Sequence, residues 1–255
     1  MIDLAVPQKI TRSSDHRYTF EGKTYPGVTT VLKVLDKSDA LMNWAARQTA
    51  EAAVGMLTPE YGNETAPLAM LMSSVGPEGV IKALTARSGW KRDEAAQLGT
   101  RVHFLADDVV KGLPAAEMTA VEKDRVMAYA DWWRASGWSL RTSEAMLVNP
   151  EYGYGGTLDL LARDADQRTV LADIKTGKGV YREAVLQLTA YGMASLIQTE
   201  AGVYNMPSVD RYVILHVTAD GVREIEVAVG ALEQVAWGAC LDLHQWAESQ
   251  KGKRL

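Results

Sequence analysis

Two aspartates and a lysine carry the sharpest chemical signal in this sequence. Asp159 closes the run Gly155-Gly156-Thr157-Leu158-Asp159, and Asp173-Ile174-Lys175 follows one polar turn later. Apolar residues flank both: Leu158, Leu160 and Leu161 around Asp159, and Val170, Leu171 and Ile174 around Asp173. The pattern predicts two neighbouring strands joined through the polar segment 163–168 as a hairpin. Alternation along a strand sends Asp173 and Lys175 to one face and Ile174 to the other, into the core. Hairpin pairing then brings Asp159 beside them. A pair of carboxylates with an amine at a sheet end suits metal-dependent phosphodiester hydrolysis. A hard divalent ion neutralises the scissile phosphate and makes a water nucleophilic, and it prefers carboxylate, carbonyl and water oxygens. Asp159 and Asp173 are candidate ligands, with the main-chain carbonyl of Ile174 as a third. Lys175 would orient the water, lower its pKa or stabilise the pentacovalent transition state. An ordinary hairpin carrying a surface Asp–Lys pair is the competing reading of these residues alone.

Further residues sit where such a site would need them. The segment 92–111 has apolar positions at Ala95, Leu98, Val102, Leu105, Ala106 and Val109, which predicts an amphipathic helix. His103 lies beside that stripe, one turn after Gly99, whose missing side chain allows close backbone approach. As a neutral imidazole it would ligate a metal or hold a metal-bound water; as a core-edge residue it would simply bond a carbonyl. A helix is expected over about 182–197, and on it Gln187 and Tyr191 stack at i and i+4. Both are neutral hydrogen-bonders, suited to bracing the lysine or holding a phosphate backbone. Glu144 enters the strand that precedes the glycine pair, and is either another site carboxylate or a solvated strand-end residue.

Taken in order, Gly99-x-x-x-His103, Gly156-x-x-Asp159, Asp173-x-Lys175 and Gln187-x-x-x-Tyr191 resemble the motifs of the PD-(D/E)XK nuclease superfamily. The likeness is to its RecB-type branch, with the phage and CRISPR-associated exonucleases. It spans about residues 92–197, and strands between 209 and 229 would complete the sheet. The resemblance implies an α/β, restriction-endonuclease-like fold: a mixed central sheet flanked by helices, with an N-terminal helical region. It implies that His103, Asp159 and Asp173 bind one or two Mg²⁺ or Mn²⁺ ions, with Ile174 adding its carbonyl. Lys175 would be the catalytic lysine, and Gln187 and Tyr191 would shape the site. The implied activity is a DNA nuclease, most simply an exonuclease of recombination, repair or phage DNA processing. DNA ends or single strands would be its partners, and there is room for a recombination or annealing partner protein. A protein that kept this fold without catalysis, as a nucleic-acid-binding scaffold, is the alternative. Several relatives hold an iron–sulfur cluster on cysteines; this chain has only Cys240, which excludes such a cluster held by thiolates of one chain.

The whole sequence is compatible with that reading. Its 255 residues, 47% of them apolar, support one large domain or a domain with a helical addition. We divide it at residue 91: a hairpin and helical region over 1–91, packing on a core over 92–255. A single cysteine fits a reducing compartment, and the N-terminus lacks the features of a signal peptide, so a cytoplasmic location without a membrane span is expected. The net charge of −5 argues against a protein that coats DNA electrostatically, though not against a nuclease with local basic groups such as Arg163, Arg168, Lys178 and Arg182. Short helices are expected over 67–73 and 78–87, separated by Gly76-Pro77, with a loop over 58–66 before them. Trp132, Trp133 and Trp138 read as packing residues. Tyr152 and Tyr154, flanking Gly153, read as candidates for touching nucleic acid.

Overall fold

The computed structural model describes residues 8–35, 38–57, 68–114 and 116–252. It begins with a small antiparallel sheet of β1 (Thr11–Arg12), β2 (Arg17–Phe20) and β3 (Lys23–Pro26). A short helix α1 (Val28–Val31) and a 3₁₀ turn (Leu32–Val34) follow directly. Tyr18, Phe20 and Tyr25 bury their rings with Ile10 and Val148, so this small sheet is anchored by its aromatic residues. The described parts of Met1–Leu35 and Gly99–Leu255 form one compact unit, and those of Asp36–Leu98 a second.

The second unit holds α2 (Ser38–Leu57) and the first part of α3 (Leu68–Lys111). The separate helices expected over 67–73, 78–87 and 92–111 are one run, bent at Gly76 (φ 69°, ψ 179°). Pro77 lacks an amide hydrogen and so restarts the helix instead of ending it. The loop expected over 58–66 lies outside the described residues. None of the described helices is long and apolar enough to cross a membrane.

In the first unit α4 (Ala120–Ser136) opens on a capping box between Thr119 and Glu122 and ends on Gly137 in the left-handed conformation. The central sheet then assembles from β4 (Ser139–Asn149), β5 (Tyr154–Arg163) and β6 (Thr169–Lys175). After α5 (Glu183–Gly192) come β7 (Leu196–Thr199), β8 (Gly202–Asn205), β9 (Arg211–Thr218) and β10 (Gly221–Val227), and α6 (Ala231–Gln250) closes the chain. The order is β10-β9-β6-β5-β4-β7-β8, and β6 with β9 is the parallel pair. This is an α/β protein with a mixed seven-stranded sheet. Leu158, Leu161, Leu171 and Ile214 pack with Leu188 of α5 and Trp237 of α6. Leu160, Ala172, Ile174 and Leu215 pack with Tyr129 of α4 and Ala106 of α3. With both faces covered, β6 is mostly apolar, and Asp173 is its one fully buried charged residue.

The largest departure from expectation follows α5. The helix expected to reach residue 197 stops at Gly192, and residues from Leu196 onward become strand. Asn149 Nδ2 donates to the Met193 carbonyl (2.7 Å), and the Ser195 amide donates to the Val148 carbonyl (3.2 Å). These bonds pull the chain onto the edge of β4, where β7 pairs. The apolar spacing of Ala194 and Ile197 mimics a continuing helix, so periodicity alone does not show the change. The tryptophans do pack: Trp132 and Trp138 meet edge to face with centroids 5.1 Å apart. Tyr152 is exposed, but Tyr154 is fully buried with its hydroxyl donating to the Ala190 carbonyl (2.7 Å), which removes it as a nucleic-acid contact. Arg168 is tied to Asp164 and Asp166 in the β5–β6 turn, both at 2.9 Å, which gives it a structural role there.

Candidate metal centre

The β5–β6 ladder runs from Arg163↔Thr169 to Leu160↔Ala172 and stops there. One residue further, Asp159 Oδ2 accepts a hydrogen bond from the Ile174 amide at 2.7 Å. The side chain thus fills the gap where the strands part. In an extended strand the N–H and C=O of one residue point to the same side. The Ile174 carbonyl therefore faces the same gap, while its side chain is buried among Leu160, Ala172 and Val213. The burial of the Ile174 side chain is as expected.

Asp173 and Lys175 share the opposite face of β6. Lys175 Nζ lies 2.6 Å from Asp173 Oδ2 and donates to Gln187 Oε1 at 3.1 Å. Gln187 Nε2 in turn donates to the Tyr191 hydroxyl at 2.9 Å. The i and i+4 pair on α5 therefore braces the lysine. His103, on α3, places Nδ1 3.4 Å from Asp159 Oδ2. Gly99, a turn earlier, lets α3 come close to the end of β6: a Cβ there would sit 3.3 Å from Thr176 Oγ1.

Glu144 joins this group from β4. The register that pairs Ser143 with Leu160 and Ala145 with Leu158 puts Glu144 opposite Asp159. Its backbone is left-handed (φ 47°), a conformation uncommon outside glycine that concentrates at functional sites. Among the described residues, His103, Glu144 and Asp159 bring ligating atoms within 4.8 Å of one another. Asp173 stands outside that trio, against Lys175.

Electrostatics bind these groups into one unit. Glu144 is exposed overall, yet its partial burial, and then the charge of Asp159, push it up to about 7. Burial, and then the same charge, push Asp173 up to about 6. Burial works against the His103 cation, but the charge and contact of Asp159 outweigh it and raise His103 to about 9. Burial likewise opposes the charge on Asp159, and His103, Lys175 and the Ile174 amide overcome it and lower its pKa. For Lys175 burial is outweighed by Asp173 and Asp159, so its pKa rises and it stays a cation.

The donor set fits a divalent ion. Both carboxylate oxygens of Asp173 are buried and lack a hydrogen-bond partner. The Lys175 ammonium meets Oδ2 as an ion pair at 2.6 Å. Carboxylates, a carbonyl and an imidazole together suit Mg²⁺ or Mn²⁺.

The glycine pair ahead of Asp159 is a packing requirement. A Cβ on Gly155 would meet Tyr18 Cβ at 2.5 Å, and one on Gly156 would meet Tyr191 Cε1 at 2.6 Å. Tyr18 also bonds the Thr157 hydroxyl at 2.9 Å. The hairpin of β1 and β2 thus reaches the site, and with it Arg12 and His16, which line a cavity of about 670 Å³ together with His103, Glu144 and Asp159. No short motif marks Tyr18, Arg12 or His16 in the sequence, because their place depends on where the small sheet docks. No protein-family model and no curated protein sequence matches this chain.

Proposed function

We propose that the chain is a divalent-metal-dependent DNA nuclease of the PD-(D/E)XK type, with a restriction-endonuclease-like sheet. An exonuclease is the activity that agrees best with its likeness to the RecB-type branch. One observation carries the reading. Asp159 and Asp173-Ile174-Lys175 converge where β5 and β6 part, with Lys175 held by Gln187 and Gln187 by Tyr191.

His103, Asp159, Asp173 and the Ile174 carbonyl would hold Mg²⁺ or Mn²⁺, with Glu144 beside His103 and Asp159. The ion supplies charge neutralisation at the phosphate and a more acidic water. Lys175 remains protonated between Asp173 and Gln187, so its ammonium is a donor to the phosphate and not a proton acceptor. Gln187 fixes the ammonium's direction, and the Tyr191 hydroxyl fixes Gln187. Burial of Tyr191 raises its pKa well above the ordinary value and keeps that hydroxyl neutral. Preorganised donors of this kind stabilise developing charge without reorganising during the reaction.

The test is digestion of linear and circular DNA in Mg²⁺ or Mn²⁺, with a chelator control and the Asp173→Asn variant. The expected result is metal-dependent cleavage that the variant loses. Intact substrates with wild type in every condition would overturn the catalytic reading and favour a scaffold.

A further inference from the structure

The cavity that holds the carboxylates has a second wall that phosphodiester chemistry does not use. Arg12 lines it from the end of β1 and His16 from the turn that follows, and Phe104 lines it from α3. Arg12 makes no ion pair with a carboxylate among the described residues; its guanidinium donates to a ring nitrogen of His16. Burial, and then the charges of Arg12 and Lys33, lower the His16 pKa. The ring is therefore a neutral acceptor that steers the guanidinium without repelling it. His16 sits in the left-handed region (φ 59°), and a Cβ on Gly27 would come 2.7 Å from its carbonyl oxygen, so the turn is braced by the start of α1. Arg12 acts electrostatically on Glu144, which places this cation in the same space as the acidic cluster. A held, exposed guanidinium with no carboxylate partner among the described residues is available to an anion from outside.

Phe104 is the other unexplained group. It follows His103 directly, is 51% exposed and belongs to none of the core clusters. The Arg101 guanidinium lies over its ring at 5.3 Å and is itself anchored to the Glu117 carbonyl at 2.7 Å. The ring is thus oriented by a fixed cation while half its surface stays open.

We propose that Arg12 and Phe104 form a nucleotide subsite beside the acidic cluster, Arg12 taking a phosphate next to the scissile one and Phe104 stacking on an unpaired base. The inference rests on the nuclease reading and deepens it. A cavity of about 670 Å³ is of the size that takes a small ligand. A base inside a duplex has both faces covered by its neighbours, so stacking on Phe104 requires a single strand. Arginine on phosphate and an aromatic ring on a base is the general mode of single-strand binding.

The experiment measures binding of a fluorescein-labelled oligothymidylate of about fifteen nucleotides, a length spanning one binding groove. It uses fluorescence anisotropy in Ca²⁺ over a salt series, with a duplex of equal length as comparator. Arg12→Ala should reduce the slope of log affinity against log salt by about 0.7, the value for one phosphate on a single strand. Phe104→Ala should weaken single-strand binding roughly ten-fold or more while leaving that slope unchanged. Both residues are exposed, and circular dichroism checks that the variants fold. If both variants bind the oligomer as wild type does, while wild type still cleaves DNA in Mn²⁺, the subsite is wrong and the nuclease reading stands. If wild type neither binds nor cleaves, the nuclease reading falls and the subsite with it.

Discussion

Gly156→Ala tests the packing that holds the lysine brace in place. The new Cβ would lie 2.6 Å from Tyr191 Cε1, 3.1 Å from Cδ1 and 3.2 Å from Leu147 Cδ1. Carbon atoms prefer about 3.5–4.0 Å, so the Tyr191 ring must withdraw by about 1 Å. The ring is 3% exposed and sits in the main core, so it has little room to do so. Gly156 is not among the glycines with positive φ, so backbone strain does not add to the cost. Overpacking of this kind costs about 1–3 kcal/mol. In a protein of this size that lowers Tm by about 2–4 °C per kcal/mol. The decisive form is a double-mutant cycle read by thermal and urea denaturation. In a Tyr191→Phe background the ring remains, and Gly156→Ala should cost the same. In a Tyr191→Ala background the ring is gone, and the substitution should be neutral or slightly stabilising, by about 0.4–1 kcal/mol, since alanine lowers the entropy of the unfolded chain. Additivity within about 0.5 kcal/mol in the Tyr191→Ala background would refute the reasoning, because it would mean the glycine is not there for the ring.

Other outcomes follow from the same site. His103 at about 9, Glu144 at about 7 and Asp173 at about 6 all hold protons in the native state that the unfolded chain releases. The metal-free protein should therefore lose stability as pH rises, through the two carboxylates up to about pH 7 and then through His103 up to about 9. Thermal denaturation across pH checks this, and Mn²⁺ should remove the loss; a metal-free stability that rises from pH 6.5 to 9 would contradict it. Asp159→Asn should move the His103 titration, followed by NMR, from about 9 toward the ordinary histidine value near 6.5, and an unmoved midpoint would show that Asp159 is not its partner. Gln187→Met keeps the side-chain length but leaves the Lys175 ammonium and the Tyr191 hydroxyl without that partner. It should cost about 1–3 kcal/mol in stability and lower kcat while leaving Mn²⁺ affinity by calorimetry unchanged.

The parts of this site set by strand alternation are legible in the sequence. Asp173, Ile174 and Lys175 lie on a buried central strand, and a period of two residues assigns each to its side. Gln187 and Tyr191 are legible for the corresponding reason on a helix. Glu144 is different. Its position opposite Asp159 depends on a register shift between Leu140 and Thr142 and on its own left-handed backbone, neither of which leaves a compositional mark. Leu158 and Leu160, two residues apart, contribute to different core clusters, so the pleat is interrupted at Asp159. The β7–β8 pair was hidden because the edge of β4 captures the chain after Gly192, a tertiary effect that overrides an apparent helical period. Arg12 and His16 reach the cavity only because Tyr18 docks against Gly155, a contact between distant segments.

The most direct test of the central claim is single-turnover hydrolysis of an end-labelled oligonucleotide as Mn²⁺ is titrated. It compares wild type with Lys175→Ala protein whose Mn²⁺ affinity has been matched by calorimetry. The account predicts that wild type cleaves with a saturable dependence on Mn²⁺, and that the variant binds the ion yet stays at least about a hundred-fold slower at saturation, the scale of losing one preorganised donor at the reacting phosphate. Cleavage by Lys175→Ala at the wild-type rate, or no cleavage by wild type at any Mn²⁺ concentration, would contradict it.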